Sequence, residues 1–187
     1  MNMRRGIRLV LLLCLLPSLA CASSPFGITL GMTVEEMESA WMHPERIYEG
    51  EGFYWVDPPY PTPFFTQYAV KVDQGYGVYI VQAYSDEILC DSSGSQIKEA
   101  YLQLEEEMNA QFGRGERYWD IPMDSEQFLE TLLDGAWYFY TEYYEDFGNY
   151  IADDIFDAAL MLLATSPTSG LIQLEYLSDD YWEAEFP

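Results

Sequence analysis

Residues with the chemistry of common catalytic sites are scarce in this sequence. Its 187 residues include one histidine, His43, and three cysteines, of which Cys14 and Cys21 lie near the N-terminus and Cys90 lies in mid-chain. His43 stands at the expected end of a helix, and no histidine is near Cys90 in the sequence to activate its thiol. One histidine and one cysteine beyond the N-terminal segment make a zinc site of the usual nitrogen and sulfur type hard to build.

Motifs for other kinds of catalysis are missing as well. The sequence has no nucleophile elbow, no phosphate-binding glycine loop and no calcium-loop spacing of acids about a glycine. Carboxylates are abundant, so the catalytic option that remains is a pair of acids about 5–10 Å apart, as in glycan hydrolases. Abundance alone does not indicate such a pair. We therefore expect a protein that is not an enzyme and uses no cofactor or metal; the alternative is a carboxylate-based glycan hydrolase or a glycan-binding module.

The charge of the chain is its strongest compositional feature. There are 32 acidic and 8 basic residues, and the net charge at pH 7 is −24. Arg4, Arg5 and Arg8 lie in the first 22 residues, which contain no acid, so the rest carries 5 basic and 32 acidic side chains, a net charge of −27. This charge argues against nucleic-acid binding, because it repels phosphate backbones. It favours a basic protein or polycation as partner. The simpler interpretation, that acidity only keeps the protein soluble, stays open.

Residues 1–22 have the layout of a secretory signal peptide. A basic leader precedes an apolar run that ends at Pro17, and small residues follow. The uninterrupted apolar part is about half of the ~20 residues that a membrane-spanning helix needs, and we expect no transmembrane segment later in the chain. Cleavage before Ser23 is the route that we favour, and lipidation of Cys21 is the alternative. These routes predict a periplasmic or secreted bacterial protein, or an outer-membrane lipoprotein anchored through Cys21.

Residues 23–187 are predicted to form a single acidic domain. Once the leader is removed, Cys90 is the one cysteine left, or is joined only by a lipidated Cys21, so a disulfide within the chain is excluded. The segment is long enough to fold on its own core, and about half of the whole sequence is hydrophobic.

Three helices are expected in this domain. The first begins at a capping box, Thr33 to Glu36, and places Val34, Met37, Ala40 and Trp41 on one side. Residues 26–31 before it read as a strand followed by a glycine turn. A second capping box, Ser93 to Gln96, begins the longest helix, which ends at Gly113. A third, shorter helix starts between Asp124 and Gln127.

Strand patterns fill most of the remaining chain. Residues 68–73 and 78–85 alternate on either side of a turn at 73–77, which predicts a hairpin. Residues 46–56 and 136–144 also read as extended. The segment 151–163 fits either a helix or a strand, and we favour a hairpin over 159–178 around a Ser-Pro-Thr-Ser-Gly turn.

Aromatic residues cluster around a proline-rich loop, residues 57–63. We select Trp55, Tyr60, Phe64 and Phe65 as candidate binding residues, because large aromatic side chains suit half-wet interfaces. Half of the side chains of any strand must also point away from its core. The alternative is that these residues only line a two-sided sheet that helices partly cover.

The stretch FGITLGMTVEEM, from Phe26 to Met37, resembles the start of several families of small exported bacterial proteins. These are the outer-membrane-protein assembly lipoproteins and the β-lactamase-inhibitor-like fold. The resemblance implies helices packed on an antiparallel sheet and action by binding proteins rather than by catalysis. The chain departs from the pattern after the first helix, where Met42-His43-Pro44 stands in place of Gly-x-Pro.

Together these patterns predict an α+β fold, with an antiparallel sheet or sheets packed against two or three helices. A duplicated helix-plus-meander unit is an open alternative, since the order of elements repeats without sequence identity between the halves. The expected function is that of a non-catalytic binding or envelope-associated protein with a strongly acidic surface.

Overall fold

The computed structural model describes residues 24–48, 52–135, 139–144, 151–152 and 154–185. The predicted signal peptide at 1–22 and the alternative lipidation site, Cys21, lie outside these residues. So do residues 136–138, the first part of the extended segment predicted at 136–144.

The described chain folds as α+β, with most of its regular structure in one antiparallel sheet. The helices are α1 (Val34–Ser39), α2 (Ser95–Phe112), α3 (Phe128–Leu133) and α4 (Tyr181–Glu185), and a short 3-10 turn covers Pro25–Gly27. The strands are β1 (Glu45–Arg46), β2 (Phe53–Trp55), β3 (Phe65–Asp73), β4 (Gly77–Ser85), β5 (Ile88–Leu89), β6 (Glu116–Trp119), β7 (Phe139–Tyr144), β8 (Asp157–Ser166) and β9 (Ser169–Leu177).

The strand order of the sheet is β1-β2-β3-β4-β9-β8-β7-β6, and β5 pairs with the end of β9. Each half is a helix followed by a four-strand meander: α1 precedes β1 to β4, and α2 precedes β6 to β9. The last strands of the two meanders, β4 and β9, pair in the centre of the sheet. The topology of the second half therefore repeats that of the first, apart from β5 and α3.

The core lies between the sheet and helices α1, α2 and α3. Every second residue of the central strands is buried there, including Val81, Ala83, Leu174 and Tyr176. The apolar stripe predicted for α2 packs on the same side, with Ile97, Tyr101, Leu104 and Met108 buried and Phe112 packed against the core. The helix needs this contact, because most helical stability in proteins comes from packing an apolar face.

Residues 26–31 correct one expectation. They form no strand; Phe26 instead turns into the core with φ 56° and meets the rings of Phe65, Tyr68 and Tyr176 at centroid distances of 6.0, 4.9 and 6.0 Å. The segment is held to the sheet by the Gly31 N–H, which donates to the carbonyl of Val78 at 2.8 Å. The apolar residues of this segment predicted a strand, but the backbone turns instead so that the Phe26 ring packs into the core.

The first capping box is confirmed, and the second is wrong. The backbone N–H of Glu36 donates to Thr33 Oγ1 at 3.2 Å, and that of Thr33 donates to Glu36 Oε2 at 2.8 Å. The longest helix starts instead after Gly94, which has a left-handed conformation and makes no side-chain cap. Ser93 is not the cap, because its hydroxyl donates to Asp91.

Two further outcomes concern single elements. The hairpin favoured over 159–178 is confirmed as β8 and β9. Trp41 was expected on the inner side of the first helix, but α1 ends at Ser39 and Trp41 is exposed with φ 61°. Because the helix ends two residues before Trp41, the helical spacing that would have turned this side chain towards the core does not apply to it.

Candidate functional site

The four predicted binding residues separate into two groups. Trp55 at the end of β2 is 37% exposed, and Tyr60 in the proline-rich loop is 60% exposed. Phe65 is only 4% exposed and belongs to the core, with half-buried Phe64 packed edge-on against it at 5.1 Å. The selection of Phe65 as a binding residue is therefore corrected. At the start of β3 its side chain points towards Phe26 and not towards solvent.

The proline-rich loop that carries Tyr60 is tied to the core. The backbone N–H of Tyr60 donates to the carbonyl of Phe26 at 2.9 Å, and that of Thr62 donates to the Tyr68 hydroxyl at 2.8 Å. The Tyr68 hydroxyl in turn donates to the carbonyl of Phe65. The loop thus presents the Tyr60 ring from a fixed backbone, which lowers the entropy lost on binding.

The sheet has a second face, turned away from α1, α2 and α3, which we call the outer face. Successive side chains of a strand point to opposite sides, so Gln82 and Tyr84 lie on the outer face because Val81 and Ala83 point into the core. By the same alternation Glu175 lies outside, between core residues Leu174 and Tyr176. This face is more polar than the core side, and it includes Trp55.

Strand register places one continuous row of residues across this face, which we call the acidic row. The cross-strand partners, from one edge of the sheet to the other, are Glu116, Glu142, Ala159, Glu175, Gln82, Ala69, Trp55 and Glu45. Directly opposite residues lie about 4.5–5.5 Å apart on antiparallel strands. The row therefore joins four carboxylates from widely separated parts of the sequence to the predicted binding residue Trp55.

Side chains in the centre of the acidic row form a hydrogen-bonded group. The amide of Gln82 donates to Glu175 Oε2, and the hydroxyl of Tyr84 donates to Gln82 Oε1 at 2.6 Å. The ring of Trp55 packs edge-on against that of Tyr84, with centroids 5.9 Å apart. Burial raises the pKa of the Glu175 carboxyl, although the Gln82 amide opposes this. The group is thus a fixed polar surface with an aromatic border.

Another acid, Asp157, lies beside the row and neighbours Glu142. Burial, and then the charge and hydrogen bond of Glu142, raise the pKa of Asp157 to about 8. Its buried Oδ1 has no hydrogen-bond partner in the described part of the chain. Two carboxyls that share a site cannot both ionise easily, so at neutral pH this pair holds a proton.

Helix α4 covers one part of the outer face. Glu185 accepts a hydrogen bond from Lys71 Nζ at 2.5 Å and another from the Tyr79 hydroxyl at 3.0 Å. Among the described strand residues that point outwards, Lys71 is the one cation, and its charge is matched by Glu185. The ion pair lowers the pKa of the Glu185 carboxyl. The outer face consequently has excess negative charge.

Tyrosines flank the acidic row on β6 and β7. The rings of Tyr118 and Tyr140 stack at 4.9 Å with an interplanar angle of 17°. The hydroxyl of exposed Tyr144 donates to Glu116 at the end of the row. The sequence alone does not connect these tyrosines to the acids, because that connection depends on which residues are paired across the strands.

The sequence-derived candidates for other chemistry stay apart in the structure. His43 is exposed with φ 46°, and Cys90 is half-buried, with burial raising the pKa of its thiol. No group of three His, Cys, Asp or Glu side chains that could hold a metal ion occurs among the described residues. None of the helices in that part of the chain has both the length and the hydrophobicity of a membrane span.

Comparisons of the chain with protein-family models, with curated proteins and with solved structures find no match. The resemblance of the Phe26–Met37 stretch therefore stays a prediction.

Proposed function

We propose that this protein is a non-catalytic binding protein of the bacterial envelope, exported from the cytoplasm, and that the outer face of its sheet binds a basic protein or polycation. The observation that carries the proposal is the acidic row. It aligns four carboxylates with Trp55 on a surface whose one described strand cation, Lys71, is already paired.

Charge supports the proposal both before the partners touch and at the contact itself. The net charge of −27 expected after removal of the leader attracts a cationic partner from far away and speeds the encounter. At contact, Glu116 and Glu45 are exposed at the ends of the row, and Glu142 and Glu175 are half-buried within it. A partner that presents lysine or arginine side chains would meet carboxylates already held in a line, at little cost in side-chain entropy.

Aromatic side chains supply the apolar part of the same surface. Trp55 belongs to the row itself, and Tyr84 packs against it. Tryptophan, tyrosine and arginine are enriched among the residues that dominate binding energy at interfaces. The fitting partner is therefore basic and also offers apolar or guanidinium groups to stack on these rings.

The proposal is tested by affinity capture from envelope extract at low and high salt, followed by titration of the captured protein. The charge variant is Glu116→Gln with Glu142→Gln in the row. Its matched control is Glu99→Gln with Glu106→Gln, two exposed acids on α2 that change the net charge by the same amount. We expect binding to weaken steeply with salt, since exposed charges are screened beyond ~8 Å at physiological ionic strength. The row variant should bind at least about tenfold more weakly than the control.

A second pair of variants tests the aromatic contribution. Trp55→Ala should weaken binding, while Trp41→Ala, which removes an exposed tryptophan that is not a member of the row, should not. Capture of nothing at low salt, or equal loss in row and control variants, would mean that the acidity serves only solubility.

The glycan hydrolase alternative receives less support. Asp157, whose pKa is raised, lies close enough to Glu142 to share a hydrogen bond, whereas retaining glycosidases hold their carboxyls ~5 Å apart and inverting ones further. One cavity of the described chain contains a single carboxylate, Glu105, which is paired with Arg117, and another is lined by apolar and tyrosine side chains. Release of reducing ends from envelope glycans by the wild type, lost in Asp157→Asn, would revive this alternative.

A further inference from the structure

A cavity on the helix side of the sheet collects two of the few basic side chains of the protein. It has a volume of about 360 Å³, lies between α2 and β6, and is lined by Glu105, Asn109, Arg114, Gly115 and Arg117. The described residues contain five lysines and arginines: Arg46, Lys71, Lys98, Arg114 and Arg117. In a chain of such strong negative charge, two guanidinium groups at one cavity point to an anion.

Arg117 is held in place before any ligand arrives. Its Nε and Nη2 atoms donate to the two carboxylate oxygens of Glu105 at 2.7 and 2.5 Å. Glu105 is itself fixed, because its Oε1 atom accepts from the Thr141 hydroxyl at 2.8 Å and its side chain is 3% exposed. The guanidinium also lies over the Trp119 ring, 4.2 Å from the centroid. Its Nη1 atom makes no hydrogen bond to any described residue, so one donor edge is unused within that part of the chain.

Arg114 supplies a second, uncommitted guanidinium. It is exposed, and it forms no ion pair with any carboxylate in the described part of the chain. Its loop is fixed at Gly115, whose N–H donates to Asn109 Oδ1 at 3.1 Å, so the Asn109 Nδ2 group keeps its donors. A Cβ atom at position 115 would lie 2.6 Å from Thr141 Cγ2, so glycine allows the loop to lie close to β7.

We propose that this cavity binds a small carboxylate, with Arg114 and the free edge of Arg117 as its ligands. Guanidinium forks match planar carboxylates, and fixed groups lose little entropy on binding. Two arginines and one glutamate give the lining a net charge of +1, which balances a monoanion and leaves a phosphate dianion uncompensated. The volume lies at the lower end of the range for small-molecule sites. The carboxylate could belong to a free acid or to the C-terminus of a peptide. The site is on the opposite side of the sheet from the acidic row, so it does not rest on the proposed function.

The test follows the arginine Nε–H resonances by NMR while four probes are added separately. These are acetate, an acetylated alanine dipeptide with a free carboxylate, the same peptide as its amide, and inorganic phosphate. We expect saturable shifts of the Arg114 and Arg117 resonances with half-saturation at about 1 mM or below for at least one carboxylate. The amide should cause none. Stronger binding of the peptide acid identifies a chain terminus as the source, and equal binding identifies a free acid.

Variants complete the test. Arg114→Gln should weaken carboxylate binding about tenfold or more, and Arg46→Gln, which removes an arginine at the far edge of the sheet, should leave it unchanged. Arg114 is exposed, and equal unfolding temperatures of the two variants will show that the fold is intact. The proposal is overturned by the absence of saturable shifts, by equal shifts with the amide, by tighter binding of phosphate, or by wild-type binding in Arg114→Gln.

Discussion

At the scale of single residues, the most telling group is the protonated acid pair beside the acidic row. Asp157 has a pKa of about 8 in the folded chain, mainly through burial and then through Glu142, against about 3.9 when unfolded. The folded state therefore binds one proton more than the unfolded state between these values. Stability must fall as pH rises through this window and become level above it.

Asp157→Asn should remove this pH dependence, because the amide resembles the protonated acid. Relative to the variant, we expect the wild type to lose about 1–2 kcal/mol of unfolding free energy between pH 5 and pH 8. This is less than the full shift implies, because the group is partly exposed. Urea unfolding at both pH values measures it, with Glu38→Gln on α1 as the exposed control. If the unfolding free energies of the wild type and Asp157→Asn change equally between pH 5 and pH 8, Asp157 does not hold a proton in the folded state.

Position 77 requires glycine, both for its backbone conformation and for the lack of a side chain. It has φ 74°, and an added Cβ atom would lie 2.1 Å from the carbonyl oxygen of Gly31, where the N-terminal segment crosses β4. Gly135 also has a positive φ, 68°, but a Cβ atom there would meet nothing within 4 Å. Gly135→Ala should thus cost about 1 kcal/mol, the backbone penalty alone.

Gly77→Ala should cost at least about 3 kcal/mol, because it adds a clash between two backbone segments to that penalty. Thermal unfolding of both variants provides the measurement. If the two alanines cost the same, the close approach of Gly31 to β4 is not required for the fold.

At the scale of elements, α2 connects the core to the arginine cavity. Its buried stripe packs against the sheet, and the Tyr101 hydroxyl lies within hydrogen-bonding distance of Thr141 Oγ1 and of the carbonyl of Leu160, at 2.8 and 2.9 Å. Thr141 continues this network to Glu105 and hence to Arg117. The helix therefore fixes one wall of the arginine cavity while it covers the core.

Two leucines on this helix provide a matched pair for stability. Leu104 is 8% exposed and Leu102 is 37% exposed. Leu104→Ala should cost about 2–5 kcal/mol, because it leaves a cavity under the helix, and Leu102→Ala should cost less than about 1 kcal/mol. Chemical denaturation gives both values. A cost below about 0.5 kcal/mol for Leu104→Ala would show that the stripe is not core.

At the scale of the whole molecule, two antiparallel meanders meet at β4 and β9 to make one sheet with a helical and an open side. Within the described ranges, α1, α2 and α3 cover the first side, and the short α4 contacts the second through Lys71 and Tyr79. The second side spans the strands of one sheet, and such a wide surface fits the proposed binding of a macromolecule.

The maturation of the whole chain provides a separate prediction. We expect the protein isolated from its host to begin at Ser23, since a basic leader, an apolar run and small residues precede that position. Intact-mass spectrometry distinguishes the possibilities. Retention of Met1 would contradict export by cleavage, and a diacylglyceryl group on Cys21 would place the protein at a membrane as a lipoprotein.

Much of the local structure could be predicted from the sequence. The capping box at Thr33, the stripe of α2 with its stop at Gly113, and the hairpins β3–β4 and β8–β9 follow from spacing, caps and turn residues within a few positions of each element. The extreme acidity and the scarcity of histidine and cysteine are properties of composition, and no tertiary contact changes them.

The tertiary structure alone decided which residues meet. Phe65 and Trp55 are both large aromatic residues beside the same loop, and the sequence does not distinguish them. The pairing of β2 with β3 and the insertion of Phe26 bury Phe65 and leave Trp55 at the surface. Strand register likewise brings Glu142 and Glu175 into one row, and packing of α2 brings Glu105 against Arg117. A shift of register by one residue would reverse the face of every side chain on a strand. Such long-range pairing leaves no local signal in the residues that it joins.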